Sequence, residues 1–208
     1  MKGHYRLFLL PAFLFIQLNG FAQNFDINIV KSLNEHQTTF KTNFTKTDAA
    51  SVTVFNIAAP VAVFSAGLIK HDKLLQKDAL YMAGAFVLSS VVTNVTKQIV
   101  KRQRPYQQYP YITELSAGGG YSFPSGHTSA AFTTATSLSL YFPKWYVIVP
   151  AYLWAGSVGY SRMYQGVHYP TDVLAGAVVG AGSAFLAYKV QKWIDKKHTA
   201  KKTKTHEN

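Results

Sequence analysis

The chain contains no cysteine. A disulfide framework, a thiolate metal site and a thiol nucleophile are all excluded by that absence. Acidic residues are also scarce: nine Asp and Glu stand against 21 Lys and Arg in 208 residues, a formal net charge of +12. Such an excess ordinarily points to nucleic acid. Here, however, the cations gather in a tail from Lys192 to Lys204 and in a run from Lys97 to Arg104. That pattern suits a membrane topology signal and a phosphate pocket, and no nucleic-acid partner is expected.

The length allows one domain with a real core, hardly two. Residues 1–22 read as an export signal: Lys2 and Arg6 form a basic start, Leu7 to Leu18 is apolar, and Gly20-Phe21-Ala22 places small residues at a cleavage site. An uncleaved first membrane helix is the competing reading. Residues 23–50 are polar with scattered apolar side chains, an exported segment to which no chemistry is assigned.

Four uncharged runs follow, Ser51–Ile69, Ala79–Thr96, Thr128–Phe142 and Trp145–Tyr160, and a fifth apolar run, Val173–Val190, holds the single charge of Lys189. They predict an all-α helical bundle of five transmembrane helices over 51–190, with a basic cytoplasmic tail over 191–208. The last run is rich in Gly and Ala, which favours close helix packing within the bundle. With the signal leading the chain out, the Lys-rich tail falls inside, as the positive-inside rule requires. Some runs are short for spanning, so a soluble exported bundle is the alternative.

Three short motifs stand at the edges of these runs: Lys97-x6-Arg104-Pro105, Pro124-Ser125-Gly126-His127 and Ser161-Arg162-x5-His168-x3-Asp172. Taken singly each is ordinary, a solvated charge pair or a surface turn. In the five-crossing topology all three emerge on the outer face. Lys97 and Arg104 are two helical turns apart, so they share a face if the second helix continues past Thr96, and Pro105 should stop it at Arg104. Lys101 and Arg102, outside the motif, read as solvated or headgroup contacts. Pro124 to His127 should open a helix whose free N–H groups, with the Ser125 hydroxyl and the close approach allowed by Gly126, bind an anion. His127 would then stand beside the anion as a proton donor. Pro170 should start the last helix and put Asp172 in its first turn, where it can hold one ring nitrogen of His168 and leave the other free to attack.

In this order and at these spacings the motifs resemble the signature of the type 2 phosphatidic acid phosphatase and vanadium haloperoxidase superfamily, over about Lys97 to Asp172. The resemblance implies a phosphatase in which His127 is the general acid, His168 forms a phosphohistidine that water hydrolyses, and Asp172 orients His168. Lys97, Arg104, Ser125, Gly126 and Arg162 would bind phosphate. No metal or other cofactor is implied, since cations and N–H groups neutralise the phosphoryl charge.

The expected substrate is a lipid phosphate or diphosphate at the outer face of the bacterial inner membrane. A soluble periplasmic acid phosphatase, a vanadate-dependent haloperoxidase and a non-catalytic membrane scaffold are the rivals. Tyr106, Tyr109, Tyr111, Tyr121, Phe123, Tyr160, Tyr164 and Tyr169 crowd the outer loops, as aromatics do at a bilayer interface.

Overall fold

A computed structural model describes residues 25–206, with side chains to residue 197. The signal expected over 1–22 lies outside the described residues. Seven helices follow in order: α1 (25–35), α2 (Thr39–Ile69), α3 (Lys73–Val100), α4 (Pro105–Gln108), α5 (Gly126–Tyr141), α6 (Trp145–Tyr164) and α7 (Pro170–His206). Among the described residues the fold is all helical.

The helix ends follow local chemistry. The Thr38 hydroxyl accepts from Lys41 N to open α2, the Asp72 carboxylate accepts from Leu74 N and Leu75 N to open α3, and the Ser125 hydroxyl accepts from Thr128 N to open α5. Pro170 begins α7 and puts Asp172 in its first turn, as expected. The end of α3 differs from expectation. It closes at Val100 on a left-handed Lys101 (φ 51°), four residues before the proline-based stop. Arg104 is therefore not two turns along the Lys97 helix but the N-cap of α4, and the two cations reach the same region from separate elements.

The polar segment before residue 50 is built into the fold. α2 starts at Thr39, and α1 packs Ile27 and Val30 against Ile112 and Tyr169.

The bundle is arranged with polar groups inside. α5 is its central helix, burying Thr128, Ser129, Thr133, Thr134, Thr136 and Ser137. Hydroxyl bonds join it to its neighbours: Ser89 and Thr93 of α3 meet Ser129, Thr134 donates to Asn56 of α2, and Thr136 pairs with Tyr152 of α6. α7 lies closest to it. A Cβ on Gly176 would stand 2.6 Å from Ser125 O and 3.2 Å from Thr128 Cβ, so only glycine permits this approach. Large apolar side chains face outward instead, among them Ile57, Leu80, Val91, Leu174 and Val178. An outward apolar belt around a hydroxyl-bonded interior is the arrangement of a protein surrounded by lipid.

α2, α3 and the Pro170–Lys197 part of α7 are long and apolar enough to cross a membrane. The other two expected crossings do not reach that standard. α5 has 16 residues, or about 24 Å against the ~30 Å hydrocarbon core. α6 is 20 residues long but carries Ser157, Ser161 and Arg162 in its second half.

At the end of the bundle away from the motifs, Lys77 pairs with Asp195, and Gln191 joins Asp78 to Tyr141. These bonds tie α3, α5 and α7 together.

Candidate active site

The C-terminal ends of α3 and α6 and the N-terminal ends of α5 and α7 meet at one end of the bundle, under the 109–124 loop. Arg104 stands at the centre. Its Nη1 donates to Val167 O at 2.8 Å and to His168 Nε2 at 3.1 Å, its Nη2 to Gly119 O at 2.7 Å, and its Nε to Gly120 O at 3.0 Å. Gly120 has φ 64°, a left-handed turn that directs its carbonyl to the guanidinium. Lys97 Nζ donates to Tyr121 O at 2.6 Å and Ser122 O at 3.2 Å, so the first motif grips the loop that leads into the second.

Ser125 is fully buried. Its hydroxyl oxygen accepts from Thr128 N and Thr128 Oγ1, and its own N–H donates to Asp172 O at 2.9 Å, locking the start of α5 to α7. The hydroxyl expected to meet phosphate is thus first of all a helix cap. Gly126 and His127 form the first turn of α5, where backbone N–H groups lack intrahelical acceptors.

Arg162 donates from Nη1 to Gln165 Oε1 at 2.6 Å and to Ser116 Oγ at 3.3 Å. Its Nε is buried and, among the described residues, has no partner. Leaving a charged donor so is costly, and an anion oxygen would satisfy it.

His168 is buried. Its Nδ1 lies 3.4 Å from Asp172 Oδ2, the orienting contact expected from the sequence. Its Nε2 is not simply free, since it faces Arg104. Burial pushes the ring down to about 3, against the upward pull of the Asp172 carboxylate, and Arg104 and Arg162 add to the lowering. The ring is neutral at any pH near 7.

Burial likewise pushes His127 down to about 4, with Arg162, Arg104 and Lys97 reinforcing the shift. Both imidazoles therefore lie in the field of the same two guanidiniums.

Arg102 is not the solvated or headgroup contact predicted for it. Its Nη1 donates to Asp172 Oδ1 and Thr171 Oγ1, both at 2.7 Å, its Nη2 donates to Asp26 Oδ2 at 2.8 Å, and its guanidinium lies 3.8 Å over the Tyr169 ring. Charge pairing, not water, decides its place.

Three further residues escaped the sequence reading. Asp26 bonds Arg102 and Thr171. Asp48 accepts from Ser157 and Ser161. Gln165, inside the third motif, bridges Arg162 to Thr45 O. The expected aromatic interface is only partly realised: Tyr111 is exposed, while Tyr164 and Tyr169 are core residues.

Among the described residues no group of three His, Asp or Glu side chains could hold a metal ion.

Comparison with known proteins identifies the family. The PAP2 superfamily profile matches residues 78–196. An undecaprenyl-diphosphatase of Sulfolobus acidocaldarius is 30% identical over 202 residues, covering 92% of this chain and 93% of its own. A lipid A 4'-phosphatase of Bacteroides thetaiotaomicron is 37% identical over 86 residues, 41% of this chain and 38% of the other. The crystal structure of a transmembrane PAP2 type phosphatidylglycerolphosphate phosphatase from Bacillus subtilis superimposes with a TM-score of 0.71 at 25% identity, covering 89% of this chain and 96% of that one.

Proposed function

The chain belongs to the PAP2 superfamily, and from that premise we propose that it hydrolyses a lipid phosphate or diphosphate, without a metal, at the outer face of a bacterial inner membrane. The observation that supports this reading is the contact of Arg104 Nη1 with His168 Nε2 at 3.1 Å, together with the buried Nε of Arg162 that has no partner among the described residues. Phosphate oxygens take the place of the His168 ring as acceptors for Arg104 and occupy the unpartnered Nε of Arg162. The freed Nε2 lone pair attacks phosphorus while the bond to the leaving oxygen breaks, and His127 gives that oxygen its proton. Water then attacks the phosphorus of the phosphohistidine, losing its proton to His127, and the phosphorus–nitrogen bond breaks to return His168 Nε2 its lone pair and release inorganic phosphate. Asp172 supports the imidazolium that forms at each stage. The phosphoryl charge is met by Lys97, Arg104, Arg162, the Ser125 hydroxyl and the N–H groups around Gly126.

A lipid substrate is supported by the shape beside His127. A cavity of about 380 Å³ runs from His127 and Gly126 to Asn56, Ile57 and Phe86. It shares those last three residues with an apolar cavity of about 440 Å³ between α2 and α3. On α3 the path covers Ala79 to Ser90, about 17 Å, roughly one leaflet of a ~30 Å hydrocarbon core. The names of the two relatives, which act on a diphosphate and on a lipid A phosphate, point the same way. The basic residues at the far end of α7 support the orientation with the site outward.

The test is turnover by purified protein on undecaprenyl diphosphate, phosphatidylglycerol phosphate, phosphatidic acid and lipid A, with and without chelator. His168→Ala should abolish turnover of the accepted lipid while the protein stays folded. Full activity in that variant refutes the mechanism, and loss of activity with chelator refutes metal independence. Release of the protein by osmotic shock without detergent would refute the membrane location.

A further inference from the structure

We propose that Asp26, on the helix that precedes the bundle, is a positioning residue for the reaction: with Arg102 and Thr171 it clamps the carboxylate of Asp172, and through it the ring of His168. The inference rests on the phosphatase reading and concerns how its nucleophile is held.

Asp26 is 1% exposed, and its carboxylate is spent entirely on this region. Oδ1 accepts from Thr171 N at 3.2 Å and Oδ2 from Arg102 Nη2 at 2.8 Å, while the Thr171 hydroxyl also donates to Oδ2. Asp26 thus supplies in trans an acceptor for an N–H in the first turn of α7, where no intrahelical acceptor exists. It also places a negative charge at the positive end of that helix.

Arg102 divides its fork between two carboxylates, giving Nη2 to Asp26 and Nη1 to Asp172. Its plane is fixed by stacking on Tyr169, next to His168 in the chain. Asp172 is then held on both sides: Oδ1 by Arg102, and Oδ2 by Tyr169 N at 2.9 Å, by the Ser122 hydroxyl and by His168 Nδ1.

Two consequences follow for the nucleophile. The first is geometric: with Asp172 immobile, His168 keeps its Nδ1 proton toward the carboxylate and its Nε2 lone pair toward the phosphate. The second is electrostatic. Asp26 offsets part of the Arg102 charge, so Asp172 keeps more of its own charge to stabilise the imidazolium of the phosphoenzyme. Removing the Asp26 charge leaves the whole Arg102 cation to Asp172, which disfavours the charged intermediate without touching bound phosphate.

The experiment compares wild type, Asp26→Asn, Asp26→Glu, Arg102→Gln and the double variant Asp26→Asn/Arg102→Gln in detergent. Two readouts are used: kinetics on the lipid that wild type turns over, and the nitrogen NMR signals of the His168 ring, assigned with His168→Ala. Asp26→Asn should lower kcat on the order of ten- to a hundredfold, by analogy with the loss of an outer partner that orients a metal-bound histidine, and leave KM within about twofold. Asp26→Glu should recover part of the loss. In the Arg102→Gln background Asp26→Asn should have little further effect, since the two act as a unit. The ring signals should change from a single Nδ1–H tautomer to a mixture.

Asn34→Ala serves as the structural comparison. Asn34 also lies on α1 and is buried, but it bonds Thr113 and Tyr164 O instead of the Asp172 cluster. It should lower the melting temperature without moving the tautomer. An Asp26→Asn enzyme with unchanged kcat and tautomer overturns the proposal, as do fully additive losses in the double variant. Equal loss of kcat in Asn34→Ala at equal melting temperature overturns it too, since α1 would then be only a brace. If wild type turns over no phosphate ester, the phosphatase reading fails, and the tautomer measurement still decides the clamp.

Discussion

Binding of a tetrahedral dianion should return a proton to His127. Set by burial and by three neighbouring cations, the ring titrates at about 4, so at pH 7 about one molecule in a thousand carries the proton, a deficit of about 4 kcal/mol. A general acid in that state could not work. A negative charge ~4 Å away contributes about 4 kcal/mol at an effective dielectric constant near 20. One such interaction restores the ring to a value near 7, suited to a proton donor. The prediction is therefore that anion binding and proton uptake are linked.

Sulfate is the probe, because it is fully ionised near neutrality and any proton taken up must go to the protein. Calorimetric titration at about pH 6, in two buffers of different ionisation enthalpy, should show uptake approaching one proton per site. The sign follows from the shift: a ring raised from about 4 to near 7 gains its proton between those values, so sulfate affinity should weaken as pH rises through 7. His127→Gln should bind sulfate with much smaller uptake. Saturation of wild type without proton uptake, or equal uptake by His127→Gln, would refute the account of His127.

Three further expectations can be checked. Gly176→Ala puts a methyl group 2.6 Å from Ser125 O and should cost about 1–3 kcal/mol of stability by overpacking; because Ser125 caps the α5 start, kcat should fall with the melting temperature, and an unaffected enzyme would show that α5 and α7 separate freely. Gln165→Leu removes an acceptor from buried Arg162 and should raise KM while destabilising by about 2 kcal/mol, measured by kinetics and thermal melting. The His168 ring, at about 3 in the fold and near 6.5 when unfolded, binds more protons in the unfolded chain between those values; stability should therefore fall as pH drops from about 6.5, by up to about 1.4 kcal/mol per unit, and melting curves of His168→Asn should be flatter.

How much of this was legible in the sequence depends on how local each determinant is. The helix start at the Pro124–His127 turn, Pro170 as a helix start and the His168–Asp172 contact four residues apart are short-range features, and they stand where the sequence placed them. The end of α3 differs from the sequence expectation because a left-handed Lys101 needs no glycine or proline to announce it, while Pro105 marks a later stop. Arg102 looked like one more surface cation because its partners, Asp26 and Asp172, are 76 and 70 residues away. Asp26 leaves no local signal for the same reason, at 145 residues from Thr171. Bonds of that span leave no periodicity or spacing to read. Of the five expected crossings, α5 looked like the rest because an uncharged run does not tell a lipid-facing helix from one enclosed by its neighbours, and the hydroxyls of α5 only acquire meaning once Asn56 and Tyr152 are seen to meet them.

The hydroxyl-lined interior and greasy exterior reverse the usual rule for which mutations matter. Trimming a leucine or valine on the outer belt exchanges one hydrocarbon neighbour for another and should pass almost unnoticed. Deleting a single oxygen from Ser129 or Thr134 strands its partner in a medium that offers no replacement. Attempts to make this protein sturdier should therefore begin with its smallest buried side chains.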